Sequence, residues 1–201
     1  MATGNRPRTA LFFIVLFLLL LIGGTIFYFG WIQIHLGPDL YAVAFTKTGG
    51  WDETVMVPGK FLWRWERLIP TNMTLYKFPL KPVATRIKTQ GSLPSADIYS
   101  TLLDNPTGFS YSLELSVTFT LKPEDLPLLV SKDSLTPDKL DAWYEDIKAS
   151  LTNTITQDVI KLVNTSPDNL LTINRSIENL IIRAFPYLVF SEVLVLDLKV
   201  P

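Results

Sequence analysis

The sequence has 201 residues, with 18 Lys and Arg against 19 Asp and Glu, one His and no Cys. This length allows one ordinary domain plus an appendage. The near-neutral charge argues against a nucleic-acid-binding protein, which would carry a basic surface. The lack of cysteine excludes disulfides, cysteine-based metal sites and thiol catalysis.

The N-terminal region contains one long apolar segment. An uncharged run covers residues 9–34, and twelve consecutive residues within it are Leu, Ile, Val or Phe. Residues 10–29 would rise roughly 30 Å as a helix, the thickness of a bilayer's hydrocarbon core. We predict a cytoplasmic N-terminus over 1–9 and a transmembrane anchor with its interfacial exit over 10–34. The anchor residues are Leu11, Phe12, Phe13, Ile14, Val15, Leu16, Phe17, Leu18, Leu19, Leu20, Leu21 and Ile22.

Charge predicts how this segment is oriented. Arg6 and Arg8 precede it, whereas the next Lys or Arg is Lys47. The positive-inside rule therefore places the N-terminus in the cytoplasm and the main domain outside, which is the periplasm in a bacterium. A cleaved signal peptide is the alternative, because a positive start and small residues at 23–25 also suit one. Full crossing and insertion as a hairpin both remain open.

Aromatic residues cluster where the anchor would reach the far interface. Tyr28 and Trp31 are predicted to lie there, because tyrosine and tryptophan favour the headgroup region. His35 follows, and as the only histidine of a chain without cysteine it lacks the partners that zinc or triad chemistry needs. We interpret it as an interfacial polar residue.

Short strands are predicted after residue 38. Residues 41–47 alternate large and small side chains, and 53–57 read as a returning strand that ends at the Pro58-Gly59 turn. Prolines cut 60–88 into short extended pieces, because proline lacks the N–H that a central strand uses. Long helices are therefore not expected in that stretch.

The clearest strand pattern covers 110–121, after turn-rich residues 104–108. Its odd-numbered residues are apolar and its even-numbered residues are polar, so one face should be core and the other solvent. A helix with Thr136 as N-cap should then run to about Val163, and a second helix should run to Pro186.

A last strand is predicted over 192–200, with Leu194, Leu196, Leu198 and Val200 on one face. The whole order predicts an α+β domain over 38–201. In it, two helices pack on an antiparallel sheet that includes this final C-terminal strand.

This order resembles the SPFH (band 7) family, which includes stomatins, prohibitins, flotillins and bacterial modulators of a membrane-bound AAA protease. Members begin with a membrane anchor, and a strand hairpin follows that ends in a Pro-Gly-aromatic signature. YAVAFTK and ETVMVPGKFLWRW match those features here, and TLYKFPLKP, YSLELSVTFTLKPEDL and SEVLVLDLKVP are similar to the later strands. The resemblance covers about residue 10 to residue 201.

The resemblance implies a single-pass, non-enzymatic, oligomerising scaffold that organises a membrane patch or regulates a membrane-bound protease or another membrane complex. Its implied partners are the lipid bilayer, the other chains of a homo- or hetero-oligomer, and that complex. The first hairpin, KTGGWDE, is longer than usual in the family. The sequence also ends at Pro201, where members continue into a long charged helix that builds rings. Assembly would then use a segment beyond Pro201, or the domain and anchor alone.

The alternative interpretation is a membrane-tethered accessory protein of an envelope assembly that recognises a lipid or a protein without self-assembly. Neither interpretation involves catalysis. The sequence contains no G-x-S-x-G, H-E-x-x-H or P-loop pattern. Neighbouring carboxylates such as Asp138 and Asp141 suit a helix start, where acids compensate the helix dipole. We predict no catalytic residue, no cofactor and no metal.

The stretch MVPGKFLWRWERLIP places three large aromatic residues directly after the Pro-Gly turn. Phe61, Trp63 and Trp65 either cover the end of the sheet or dock the domain on the membrane, with Arg64 and Arg67 near lipid phosphates. These five residues, with Tyr28 and Trp31, are the predicted membrane-interface residues.

Overall fold

The computed structural model describes residues 6–31, 36–92, 110–165 and 170–199. The chain forms two compact units, divided after Pro79. The turn predicted at 104–108, His35 and the end of the last strand at Val200 lie outside the described residues. One domain over 38–201 stays a prediction. The coarse class is confirmed: the protein is mixed α+β, with an N-terminal apolar helix and antiparallel sheets.

The first unit holds the apolar helix and a three-stranded antiparallel sheet, in the order β2-β1-β3. The strand predicted over 41–47 is confirmed to within one residue at each end. The elements of this unit are α1, Arg6–Gly30; β1, Leu40–Thr46; β2, Gly50–Trp51; a 3-10 turn, Trp65–Leu68; and β3, Met73–Pro79.

The returning strand predicted over 53–57 is wrong as a continuous strand. β2 has two residues. Beyond it the N–H of Asp52 donates to the carbonyl of Ala44 at 2.8 Å, and Met56 forms an isolated bridge to β1 through backbone hydrogen bonds of 2.8 and 3.0 Å with Ala42. Between these points Asp52 accepts hydrogen bonds from the N–H and the hydroxyl of Thr54, at 3.1 and 2.8 Å. This local turn competes with strand pairing, as aspartate and threonine side chains commonly do.

A small apolar core lies on one face of this sheet. Ala42 and Ala44 of β1 supply the sheet side of this core, and Leu36 and Met56 are buried against them. The residues that pack around this core while partly buried are Leu40, Leu62, Met73 and Leu75. The core is therefore built from short or flexible side chains, which allow the chain segments to approach the sheet closely.

The described residues of the second unit form a three-stranded antiparallel sheet, in the order β4-β5-β6, and three α-helices. The single predicted sheet is thus two separate sheets. The elements of the second unit are β4, Val83–Ser92; β5, Ser110–Leu121; α2, Leu126–Lys132; α3, Leu140–Thr165; α4, Leu170–Ala184; and β6, Leu188–Lys199.

The core of the second unit confirms the prediction for β5. The strand has the predicted bounds, and its odd-numbered residues are buried while the even-numbered ones are not. Both predicted helices are confirmed, and a 3-10 turn over Pro137–Lys139 leads into α3. The sequence pattern missed α2, because seven residues are too few to show a helical period. The helix residues buried toward the core are Leu140, Ile147, Leu151, Ile155, Ile173, Ile177 and Ile181.

The predicted faces of the last strand are wrong. β6 begins four residues before the predicted start at 192, and its pairing with β5 shifts register twice. Each shift adds one unpaired residue to β6 and reverses which residues face the core, since side chains alternate along a strand. Consequently Val193, Val195 and Leu198 lie opposite the buried residues of β5, whereas Leu194 and Leu196 are exposed.

Candidate membrane interface

Helix α1 is long and apolar enough to cross a bilayer. The stretch Thr9–Gly30 has 22 residues and is the one such helix in the part of the chain that the structure describes. At 1.5 Å per residue it rises about 33 Å. All twelve predicted anchor residues lie on it, and all are exposed. A helix that is apolar all round and uncovered by protein suits a single transmembrane span or a signal anchor.

The three small residues of α1 that follow the apolar run, Gly23, Gly24 and Thr25, are compatible with a lipid environment. The Thr25 hydroxyl donates to the carbonyl of Leu21 at 2.8 Å, so its polar group is satisfied within the helix. A Cβ added at Gly23 or Gly24 would meet no atom within 4 Å. These two glycines therefore receive no packing from the described protein, and lipid or a second helix can approach them.

The end of α1 is held by an aromatic cluster, here called the clasp, formed by Phe27, Trp31, Phe61 and Trp63. The rings of Phe27 and Phe61 stack with centroids 5.9 Å apart and planes inclined by 20°. Trp31 lies 5.7 Å from each of those two rings. The clasp thus joins the helix exit to the segment after the Pro-Gly turn.

Gly30 allows this close approach. A Cβ at position 30 would lie 2.5 Å from Cε2 of the Trp63 indole and closer still to its Nε1. Real Cβ atoms do not occur at such distances, so the indole occupies the place of a side chain. The backbone reinforces the contact, because Arg64 N–H donates to the carbonyl of Gly30 at 3.0 Å and Trp31 forms an antiparallel bridge with Trp63.

The two predicted interfacial arginines differ in their partners. Arg64 forms an ion pair with Asp52, and its Nη1 lies 3.8 Å from Oε1 of Glu66. Arg67 donates to the backbone carbonyl of Trp31 at 3.1 Å. No carboxylate pairs with Arg67 among the described residues, and burial lowers its guanidinium pKa from the ordinary value. Of these two arginines, Arg67 is therefore the one whose charge no described carboxylate compensates.

The aromatic residues after the Pro-Gly turn do not fill the core of the sheet. Leu62 packs against that core, whereas Phe61 is 58% exposed and Trp65 is 54% exposed. Tyr28, at the end of α1, is also exposed, and Trp31 and Trp63 are half-buried. The structure therefore brings Trp31, Phe61 and Trp63 together, with Arg64 and Arg67 attached through backbone contacts. Contact of these residues with lipid stays a prediction.

Sequence reasoning missed three features of this site. Gly30 was not singled out, although glycine at a helix end commonly marks a close approach or a cap. The pairing of Asp52 with Arg64 joins residues twelve positions apart and left no sequence pattern. The indole N–H groups of Trp31 and Trp63 are buried without an acceptor in the described structure, which typically destabilises by about 1 to 3 kcal/mol for each such donor.

Comparisons with known proteins find a similar sequence but no family. No protein-family model matches it. An uncharacterized protein of Treponema pallidum (strain Nichols) is 30% identical to it over 180 residues. The match covers 86% of this chain and 61% of that protein, so the chain spans less than two thirds of its relative's length. The chain is similar to that protein, whose name assigns no activity or partner.

Proposed function

We propose that this protein is a single-pass membrane protein whose N-terminus is cytoplasmic and whose folded units form a non-enzymatic, oligomerising scaffold of the SPFH (band 7) type. The scaffold organises a patch of membrane or regulates a membrane-bound protease or another membrane complex. The bilayer and further chains of the same kind are its partners.

The observation that carries this proposal is the uncovered apolar surface of α1. Twelve consecutive large apolar residues are exposed to the surroundings. On the insertion scale, such residues favour the bilayer by about 4 to 7 kcal/mol in total. The clasp then ties the end of this helix to the folded chain through Gly30 and Trp63. An anchor held in this way keeps the folded part at the membrane surface.

Self-assembly is supported by β6. It lies at the edge of its sheet and pairs with β5 on one side, with no strand on its other side among the described residues. Its outward apolar residues Val189, Leu194 and Leu196 are exposed. A long apolar edge strand is a ready template for a second chain. The backbone N–H of Val195 donates to the side-chain oxygen of Asn174 at 3.2 Å, so this one group of β6 is not free to pair with a second chain.

The SPFH resemblance is supported by the turn before the aromatic residues. Gly59 has a φ of 80°, in the left-handed region that favours glycine. The turn therefore requires glycine at position 59. Phe61 and Trp63, which follow this turn, contact the end of α1. Strand β5 with its buried odd-numbered residues supports the resemblance in the second unit.

The test is the mass of the full chain extracted in mild detergent, measured by light scattering during size-exclusion chromatography. We expect a large assembly for the wild type and smaller species for Leu196→Lys, which places a charge on the β6 edge. Leu128→Lys, at an equally exposed leucine on α2, is the matched control and should leave the mass unchanged. A folded wild-type monomer would refute the scaffold and favour the accessory protein that binds without self-assembly.

A further inference from the structure

A groove of about 290 Å³ lies in the first unit beside β3. Its lining consists of two cations and two apolar side chains: Arg67, Met73, Leu75 and Lys77. The three strand residues share one face, because they alternate along β3 at roughly 6.6 Å from one to the next. The groove therefore presents a line of apolar surface with a positive charge at Lys77 and another at Arg67.

Both cations lack a negative partner in the described part of the chain. The Arg67 guanidinium donates one hydrogen bond, to the neutral carbonyl of Trp31. The Lys77 ammonium forms neither a hydrogen bond nor an ion pair with any described residue. Arg64, three residues before Arg67, is by contrast paired with Asp52. Burial also lowers the pKa of the Arg67 guanidinium, because it disfavours the charged form. An anion in the groove would favour the charged form and so oppose this shift.

One lining residue of the groove, Arg67, lies beside the end of α1. The Arg67 guanidinium lies 3.1 Å from the carbonyl of Trp31, and Trp31 directly follows the last residue of α1. If α1 crosses the bilayer, this guanidinium lies at the level of the lipid headgroups. Phe61 and Trp65, both exposed, are in the same segment of chain.

We propose that the groove binds the phosphate headgroup of an anionic phospholipid from the membrane that holds α1. This inference rests on the proposed membrane anchoring. The phosphate accepts hydrogen bonds from the Arg67 fork and the Lys77 ammonium, since arginine and lysine are the side chains that bind phosphate in proteins. Met73 and Leu75 contact the glycerol and the first methylene groups. A free phosphate would leave the exposed part of these two partly buried side chains uncovered.

The test uses the full chain in detergent micelles, titrated with dihexanoyl phosphatidylglycerol or dihexanoyl phosphatidylcholine and followed by native mass spectrometry. Wild type should bind phosphatidylglycerol more tightly than phosphatidylcholine. One cation near an anionic lipid surface corresponds to about a fivefold change in affinity. Lys77→Gln should therefore weaken phosphatidylglycerol binding about fivefold, and Lys77→Gln with Arg67→Gln roughly 25-fold. Binding of phosphatidylcholine should not change.

The control removes two exposed lysines that do not line the groove, by Lys81→Gln with Lys132→Gln, and should leave the binding of both lipids unchanged. Because Arg67 also holds Trp31, Lys77→Gln alone decides the outcome if near-UV circular dichroism shows that the double variant misfolds. Unchanged phosphatidylglycerol binding in Lys77→Gln overturns the inference, as does an equal loss in the control. Full competition by inorganic phosphate at the concentration of the lipid also overturns it, since the ligand is then a free anion.

Failure of the inference is distinguishable from failure of the anchor. Cell membranes that contain the wild type are washed with alkaline carbonate, which releases peripheral proteins. If the protein stays in the membrane but shows no preference for phosphatidylglycerol, only the groove proposal fails. If carbonate releases the protein, the proposed anchoring itself is wrong.

Discussion

Replacing Gly30 with alanine tests whether the clasp fixes the exit of α1. The new Cβ would overlap the indole of Trp63, whose Cε2 lies 2.5 Å from its position. Forcing an extra carbon into such a contact typically costs about 1 to 3 kcal/mol, because the neighbour must leave its preferred rotamer. Gly24→Ala is the matched control, since a Cβ there meets nothing within 4 Å. Gly24 lies inside α1 whereas Gly30 is its last residue, so alanine gains more helix propensity at position 24, and the Trp63→Ala background isolates the clash.

The assay is thermal unfolding of the full chain in detergent, followed by the fluorescence of its five tryptophans, which include Trp31 and Trp63. For a chain of this length, we expect Gly30→Ala to melt lower than Gly24→Ala by about 2 to 4 °C for each kcal/mol of clash. The effect should largely vanish when Trp63→Ala is introduced as well, because the two positions are then uncoupled. Equal melting of the two glycine variants would refute the assigned contact, and so would an effect that persists without the indole.

Leu115→Ala, at a fully buried site on β5, should lower the free energy of unfolding by about 2 to 5 kcal/mol in urea titrations. Leu196→Ala, at a side chain that is 44% exposed, should change it by less than about 0.5 kcal/mol. Equal losses in the two variants would contradict the assigned faces of the strands. Burial raises the pKa of Tyr144, an effect that the N–H of Leu121, donating to its hydroxyl, opposes. The stability that the neutral phenol contributes is therefore complete below about pH 10 and is lost as pH rises through the folded-state pKa. Thermal melts across that range should decline less steeply for Tyr144→Phe, and an unchanged slope would remove the phenol as the cause. Because the chain has no cysteine, Ser131→Cys introduces a single thiol at an exposed position of α2. A membrane-impermeant maleimide should label it in intact cells, and labelling only after lysis would reverse the proposed orientation.

The parts of the fold that were predictable are those whose signal is local. A run of twelve large apolar residues identifies α1 whatever the rest of the chain does. Alternation along β5 and the helical spacing of α3 and α4 record which side of each element is buried, so their bounds and faces followed directly. Tyr28, Trp31, Phe61, Trp63 and Trp65 could be proposed as interfacial from composition and position alone.

Features that depend on a partner distant in sequence were not predictable. The faces of β6 follow from two register shifts against β5, and a strand's own alternation does not report an inserted residue in its pairing. Asp52 ends β2 by bonding Thr54 and pairs with Arg64, so Arg67 has no carboxylate partner among the described residues.

By itself, the sequence determined the apolar helix, the α+β class and the residues available for a membrane interface, because hydrophobic period and length are properties of each segment alone. Only the tertiary structure decided that Gly30 accommodates the Trp63 indole, that Leu62 and not Phe61 enters the core, and that Arg67 and Lys77 share a groove. These contacts join segments far apart in the chain, and steric fit and charge pairing in three dimensions select them.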